Sequence, residues 1–381
     1  MTRKQFLLLL IAFLVLGGVG TALFWKDIDS YRASGSKIGA KLLPDLKVAD
    51  VAQVELRDAK AQATLVRKEN YWVVQEREGY PADFKAISDL IIKLADLKVV
   101  QADTVGESLL PRVELVEPGK GEGAGTLVNI KDGSGKSLAA VVLGKQILKK
   151  DRGNPLPSAQ DGIPAGRYVR VLSANDQVVV VSDPLTNAQA QPGRWLDKDF
   201  AKIERIKTLS SSGAGGEGWK ITRDVEWGQW EFAGRGGALD ASAAVSAVNA
   251  LGQLSFEDVA TGAKPQDAAA GSTVTAETFD GLVYTLKIAR RDNGNEYLLN
   301  VGVAGEPTRA REPEKGEKPE DKERRDKEFE DARKRIELRL ARDKARADWT
   351  YVVDAKQVAP LLKSRGEMVA QGKPAQDPRA R

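Results

Sequence analysis

A short segment between two apolar runs has the residue types of a phosphate-binding loop. It reads "GSGKS" over residues 133–137, and Gly-Lys-Ser is the end of the P-loop pattern, in which backbone N–H groups and the lysine hold phosphates. That pattern also requires a glycine five residues before Gly135, where this chain has Ile130. The residues that follow, "LAAVVLG", are typical of a short strand rather than of the helix that a P-loop needs. The segment therefore predicts a turn, and we expect no nucleotide at it.

The remaining residue types exclude several catalytic mechanisms. The 381 residues include no cysteine and no histidine, which excludes thiolate nucleophiles, imidazole bases and metal sites built from sulfur or imidazole. Carboxylates stand at predicted turns and helix starts, where aspartate stabilises the backbone, and no pair is marked as a catalytic acid and base. These carboxylates are Asp132, Asp183, Asp197, Asp199 and Asp292. We predict no catalytic residue, no cofactor and no metal, with a carboxylate hydrolase as an alternative.

The N-terminus predicts a membrane anchor over residues 1–30. Phe6 to Trp25 is an uncharged run of 20 residues, about 30 Å long as a helix, which matches the apolar core of a bilayer. A cleaved signal peptide is the alternative, but its apolar region would be shorter. Arg3 and Lys4 precede the run, so the positive-inside rule places the N-terminus in the cytoplasm and the bulk of the chain in the periplasm of a bacterial inner membrane. The anchor residues are Phe6, Leu10, Phe13, Leu16, Leu23 and Trp25.

An internal repeat organises the rest of the chain, because residues 51–144 and 203–302 resemble each other at a nearly constant offset. Each copy contains an amphipathic helix pattern with an aspartate N-cap, Asp83 in the first copy and Asp240 in the second. The matched apolar positions are Leu90, Ile91, Leu94 and Leu97 with Ala247, Val248, Leu251 and Leu254. The sequence predicts an α+β fold of two tandem similar modules, each an antiparallel sheet with packed helices, over residues 45–190 and 191–365.

The repeat also bears on the aromatic residues and on the glycine-rich segment. Trp219, Trp227 and Trp230 lie close together in the sequence and could stack on sugars. Trp72 recurs at the position of Trp230, as Arg67 does at that of Arg223, which favours a core strand. At an offset of 158, "DGSGK" lies opposite "RDNGN" at 291–295, a strong hairpin signal. The repeated feature is therefore predicted to be a hairpin turn.

A charged insertion distinguishes the second copy, at about residues 307–348. Residues 321–348 contain 11 basic and 9 acidic side chains, and the mixed charge without interleaved aromatics does not indicate a nucleic-acid interface. The pattern predicts a solvated, projecting helix, and the alternatives are a partner-binding arm and a bland exposed helix. The candidate partner-binding residues are one narrow apolar stripe, Phe329, Ile336 and Leu340. Residues 366–381 are predicted to be a disordered tail.

Several segments together resemble a bacterial family called domain of unknown function 4340. They are the N-terminal anchor, "YWVV" with "YPADFKAISDLIIKLADL", "GRYVRVL" with "VVVVSDPL", and "GRWLDKDFAKIERI". The family has no established activity, and its members tend to be encoded beside ABC-2-type permeases, ATPases and an auxiliary protein similar to those of gliding-motility transporters. The resemblance implies a non-enzymatic, membrane-anchored periplasmic accessory or scaffold protein whose partner is an ABC-type permease or auxiliary subunit. The alternative is a periplasmic binding protein that presents a polysaccharide, lipid or other solute to a transporter.

Overall fold

The computed structural model describes most of the chain after the predicted anchor. The described residues are 38–103, 106–149, 163–172, 177–213, 217–234, 237–291, 295–311 and 316–370. The chain divides into two compact units between Leu196 and Asp197. Among the described helices, none is both long and apolar enough to cross a membrane. The predicted anchor with Phe6, Leu10, Phe13, Leu16, Leu23 and Trp25 lies outside the described residues, as do Asp292 and residues 371–381.

In the residues that the structure describes, the first unit is an antiparallel sheet of nine strands with one α-helix. The strands are β1 Gln53–Arg57, β2 Gln62–Arg67, β3 Trp72–Val74, β4 Tyr80–Pro81, β5 Val99–Asp103, β6 Thr126–Lys131, β7 Ser137–Lys149, β8 Ile163–Val171 and β9 Gln177–Val181, and the helix is α1 Phe84–Asp96. Short 3-10 helices are Val48–Asp50, Gln75–Arg77, Glu107–Val113 and Pro192–Trp195. The strand order is β4-β3-β2-β1-β6-β7-β8-β9-β5.

The described part of the second unit is an antiparallel sheet of eight strands. The strands are β10 Ile206–Ser212, β11 Trp219–Thr222, β12 Glu231–Phe232, β13 Asp258–Val259, β14 Ser272–Thr278, β15 Leu282–Arg290, β16 Glu296–Gly305 and β17 Tyr351–Asp354. The helices are α2 Ala241–Gly252, α3 Pro265–Ala269, α4 Pro319–Ala345 and α5 Ala355–Val358, with 3-10 helices Ala359–Leu361 and Gly366–Met368. The strand order is β12-β11-β10-β14-β15-β16-β17-β13. The α+β class with antiparallel sheets is confirmed.

The two sheets share one strand order. Apart from β4, each strand of the first sheet has a counterpart at the same place in the second, from β3 and β12 at one end to β5 and β13 at the other. The helices α1 and α2 stand at the same point of the chain order. Arg67 pairs with Trp72 across β2 and β3, and the Arg223 guanidinium lies 4.7 Å from the Trp230 ring. The predicted match of these two Arg–Trp pairs therefore agrees with the topology.

The predicted match of the two hairpins is wrong by one strand. The strand beside β1 is β6, and the strand beside β10 is β14. The turn at 132–136 therefore corresponds to the turn at 279–281, whereas residues 291–295 join β15 to β16. Antiparallel strands all repeat apolar residues with period two, so an alignment can slip by a whole strand and still match apolar residues. The charged insertion lies between β16 and β17, which are the counterparts of β8 and β9.

The α-helices α1 and α2 begin where their N-caps predict. The Asp83 carboxylate accepts from the Ala86 amide at 3.0 Å, and the Asp240 carboxylate accepts from the amides of Ser242 at 2.8 Å and Ala243 at 3.1 Å. These bonds satisfy donors that a helix start leaves unpaired. The buried side chains behind the caps are Ile87, Leu90, Ile91 and Leu94 in α1 and Ala243, Ala244, Ala247 and Leu251 in α2.

In each unit, the C-terminal segment is hydrogen-bonded to the start of that unit's helix, α1 or α2. The Asp83 amide donates to the carbonyl of Trp195 at 2.8 Å, and the Asp240 amide donates to that of Met368 at 2.9 Å. Both acceptors end a 3-10 helix, and Leu239 forms a β-bridge with Val369. The second unit therefore includes residues 366–370, which were assigned to the tail from the sequence.

Candidate functional site

The charged insertion forms a 27-residue helix, α4, that packs on its own unit. Leu340 is buried, while Phe329 and Ile336 line a cavity of about 400 Å³ between α4, residues 307–311 and the β14–β15 turn. The sequence predicted these three residues as the partner-binding stripe of a projecting helix. They instead lie on the face with which α4 contacts its own unit. Burial of an apolar stripe stabilises the folded state whichever surface covers it, so the spacing alone does not distinguish a partner from the protein's own sheet.

Ion pairs hold the C-terminal end of α4 to the segment that opens the second unit. Arg346 binds Asp197 at 2.5 Å, and its side chain is 8% exposed. Arg342, one turn earlier on the helix, pairs with Asp199. Charge-assisted hydrogen bonds of this kind are among the stronger polar contacts in proteins. Arginine–carboxylate contacts therefore tie the end of α4 to this segment.

A buried tyrosine makes a second polar contact beneath α4. The Tyr284 hydroxyl of β15 donates to the Asp343 carboxylate at 3.1 Å, and both residues are buried. Burial, with the nearby Asp343 charge, raises the pKa of the Tyr284 phenol above its usual range. Arg339 lies 3.6 Å from Asp280, a buried carboxylate in the β14–β15 turn that also binds Arg205. Because these buried polar groups are paired, they orient the helix on the sheet.

The start of α4 is tied to the chain that leads into it. Arg311 donates to both carboxylate oxygens of Glu317 at 2.9 Å and to Asp326 at 2.8 Å. These hydrogen bonds raise the pKa of the Arg311 guanidinium, with Glu317 as the larger cause. The Glu317 side chain is 4% exposed, so this bidentate pair fixes the entry to the helix.

The opposite side of α4 is exposed to solvent along its length. Its residues recur at three- and four-residue steps, and we call this stripe the outer face: Arg324, Lys327, Asp331, Arg335 and Leu338. Leu338 is 73% exposed, although the helix has a buried side for apolar residues. The outer face therefore carries charges of both signs around one exposed apolar side chain.

The glycine-rich segment is a hairpin turn between β6 and β7, as the sequence predicted. The Asp132 carboxylate accepts from the amides of Ser134 at 2.9 Å and Lys136 at 3.0 Å and from the Ser134 hydroxyl at 2.6 Å. These hydrogen bonds lower the pKa of Asp132, and the bond from the Ser134 hydroxyl is the largest cause. Gly135 has a φ of +84°, which glycine adopts readily. The amides that would face a phosphate thus bind the protein's own carboxylate.

Other aspartates proposed from the sequence also bind local backbone. Asp183 accepts from the Leu185 amide at 2.7 Å, and Asp197 accepts from the Asp199 amide at 2.8 Å. Their prediction as turn residues is confirmed. In the part of the chain that the structure describes, no three carboxylates are grouped so that they could hold a metal ion.

The tryptophan cluster separates into three environments, and the sequence interpretation missed the exposed member. Trp219 is buried at 3% exposure, and its indole N–H donates to the Lys363 carbonyl at 2.8 Å. Trp230 is half-buried beneath Arg223. Trp227 is 92% exposed, and Val225 beside it is 63% exposed. The signal available in the sequence was loop length, since six residues separate Arg223 from Trp230 and four separate Arg67 from Trp72.

Comparison with models of known protein families assigns the chain to one family. The family model described as Domain of unknown function (DUF4340) matches residues 72–272, more than half of the chain, and no curated protein or solved structure matches it. The chain belongs to the DUF4340 family.

Proposed function

We propose that this DUF4340 protein is a non-enzymatic, membrane-anchored periplasmic scaffold that binds a subunit of an ABC-2-type, gliding-motility-like transport system. The observation that carries the proposal is the outer face of α4. A helix that is fixed on one side by buried polar contacts holds its other side in a constant geometry. Leu338 stands on that side at 73% exposure, among charged neighbours.

The remaining parts of the proposal come from the sequence. Phe6 to Trp25 supplies the anchor, and the charges before it place the following chain in the periplasm. The transport system comes from the resemblance to the family, whose members tend to be encoded beside such permeases. The scaffold role is also supported by the aspartates, because Asp183, Asp197 and Asp199 serve local backbone and ion pairs.

Affinity purification tests the proposal. The full chain, tagged after Arg381, is extracted from membranes in mild detergent, and co-purifying proteins are quantified by mass spectrometry. We expect an ABC-2 permease or its ATPase to be enriched. The double variant Lys327→Glu/Arg335→Glu should reduce the recovery about tenfold, since it reverses two charges on the outer face.

A matched control reverses two charges elsewhere. Lys85 and Lys120 lie in the first unit with side chains 86% and 67% exposed, so Lys85→Glu/Lys120→Glu should leave recovery unchanged. Recovery of no transport subunit with the wild-type chain would contradict the proposal. Equal losses in the two double variants would show that the outer face of α4 is not the binding surface.

A second candidate function, presentation of a solute to a transporter, is favoured by the cavity beneath α4. Its volume of about 400 Å³ suits a small ligand. Apolar side chains such as Phe329 and Ile336 line it together with Arg205, Arg311 and Arg333. Native mass spectrometry of the gently extracted protein should then show a bound mass that Phe329→Trp removes by filling the space. A ligand-free spectrum at all extraction conditions would reject this function.

A further inference from the structure

We propose that the β11–β12 hairpin tip, formed by residues 224–229, is an apolar anchor that enters a pocket with a basic rim on a protein partner. The inference rests on the proposed scaffold function, for which it names a second contact surface. Trp227 is 92% exposed and Val225 is 63% exposed at this tip. Tryptophan in such a position is the residue type that contributes most often to binding energy when a partner pocket buries it.

The tip is held in shape without a partner. The Gly228 amide donates to the Val225 carbonyl at 2.9 Å, and a Cβ at Gly228 would lie 3.1 Å from that carbonyl oxygen. Arg205 donates from Nε to both carboxylate oxygens of Glu226 at 3.0 Å. Val225 and Trp227 stand on either side of this fixed residue in the chain, so the backbone that carries them is ordered before a partner binds and loses little conformational entropy on binding.

The base of the hairpin is fixed as well. The Arg223 Nε donates to the Ile206 carbonyl at 2.8 Å, and its guanidinium lies over the Trp230 ring at 4.7 Å. Arg67 and Trp72 occupy the equivalent ladder positions in the first unit. Between them the loop has four residues and ends in Tyr71, which is 55% exposed. The second unit thus keeps the base and lengthens the tip by two residues.

Charge selects a protein partner over a membrane surface. The tip itself contains no cationic side chain, and Asp224 within it and Glu231 beside it are exposed. The neighbouring cations lie towards the hairpin base: Lys207 and Lys220 are exposed on β10 and β11, and Arg223 is turned to the base. An acidic flank is repelled by anionic phospholipid headgroups and attracted by lysine or arginine around an apolar pocket. Tryptophan alone would suit either environment, so the two flanking carboxylates decide between them.

The test combines the membrane affinity purification described above with photo-crosslinking in cells. We expect Trp227→Ser to lower recovery of the co-purifying protein about tenfold and Asp224→Lys to lower it severalfold, with the second loss diminished at high salt. The matched control Phe84→Ser removes an aromatic side chain that is 65% exposed in the first unit, and recovery should not change. A photoreactive phenylalanine at position 227 should form an adduct with the same protein.

The outcomes separate this inference from the proposed function. If the wild-type chain recovers a transport subunit and Trp227→Ser recovers as much, the hairpin inference is overturned and the scaffold function stands. If the photoreactive side chain at 227 forms adducts with lipid and none with protein, the tip is a membrane contact and the inference fails. If the wild-type chain recovers nothing, the scaffold function itself fails.

Discussion

Asp132 accepts three hydrogen bonds from its own turn, two from amides and one from the Ser134 hydroxyl. In a phosphate-binding loop such amides face the ligand, whereas here they close a hairpin and leave Lys136 exposed. The missing glycine at Ile130 and the strand-like residues after the turn were sufficient to predict this from the sequence. Single residues with local roles, such as this aspartate and the N-cap Asp83, were predictable because their hydrogen-bond partners lie within four residues.

Two substitutions in this turn should separate backbone strain from side-chain function. Gly135 has a φ of +84° and open space around an added Cβ, so Gly135→Ala should lower the free energy of unfolding by about 1 kcal/mol through backbone strain alone. Lys136→Ala should change it by less than about 0.5 kcal/mol. Urea denaturation of both variants measures this. Stabilisation of the wild-type chain by ATP, lost in Lys136→Ala, would contradict the structural role.

Tyr284 should make stability depend on pH in the alkaline range. Its pKa in the folded protein lies above the ordinary value of 10.0 because burial disfavours the phenolate. Above pH 10 the unfolded chain loses this proton before the folded chain does, so stability should fall as pH rises, by at most about 1.4 kcal/mol per pH unit. Below pH 10 the contribution is fully present. Tyr284→Phe should flatten this part of the curve in denaturation between pH 9 and 11, and an unchanged slope would contradict the assignment.

At the scale of elements, α4 shows what a sequence pattern leaves open. The spacing of Phe329, Ile336 and Leu340 indicated that one side of the helix is covered, but the same spacing serves a partner or the protein's own sheet. The covering surface is set by residues distant in sequence, such as Asp197 and Tyr284. Likewise, the alternation of apolar residues predicted the strands correctly, but the alignment of the second copy on the first was displaced by one strand, since all antiparallel strands share that period.

The ion pairs of α4 should contribute unequally to its docking. Arg346→Ala removes a side chain that is 8% exposed and bound to Asp197, so it should cost about 2 kcal/mol or more. Arg324→Ala is the matched control, because its pair with Asp321 is exposed and weak, within about 0.5 kcal/mol. Hydrogen exchange read by mass spectrometry should show faster exchange across residues 319–345 in Arg346→Ala alone. Equal exchange in both variants would show that the helix is held by other contacts.

At the scale of the whole molecule, the sequence predicted two α+β modules after an anchor, and the structure shows two units with one strand order. The helix N-caps carried this prediction, because Asp83 and Asp240 are single residues with a fixed local geometry. The boundary at residue 365 could not be predicted, since Met368 and Val369 are ordered by the distant residues Asp240 and Leu239.

Export of the two units is testable with reporters. We expect alkaline phosphatase fused after Arg381 to be active and green fluorescent protein at the same point to be dark, because the predicted anchor leaves the C-terminus in the periplasm. Deletion of residues 1–30 should reverse both signals. A fluorescent full-length fusion would place the units in the cytoplasm and overturn the proposed localisation.

The central claim is that the outer face of α4 binds a transport subunit, and in-cell photo-crosslinking from that face tests it most directly. A photoreactive phenylalanine replaces Leu338, which is 73% exposed, or Phe329 on the covered side of the same helix. The account predicts one discrete adduct with an ABC-2 permease, ATPase or auxiliary subunit from position 338 and none from position 329. Absence of a protein adduct at 338, or the same adduct from both positions, would contradict it.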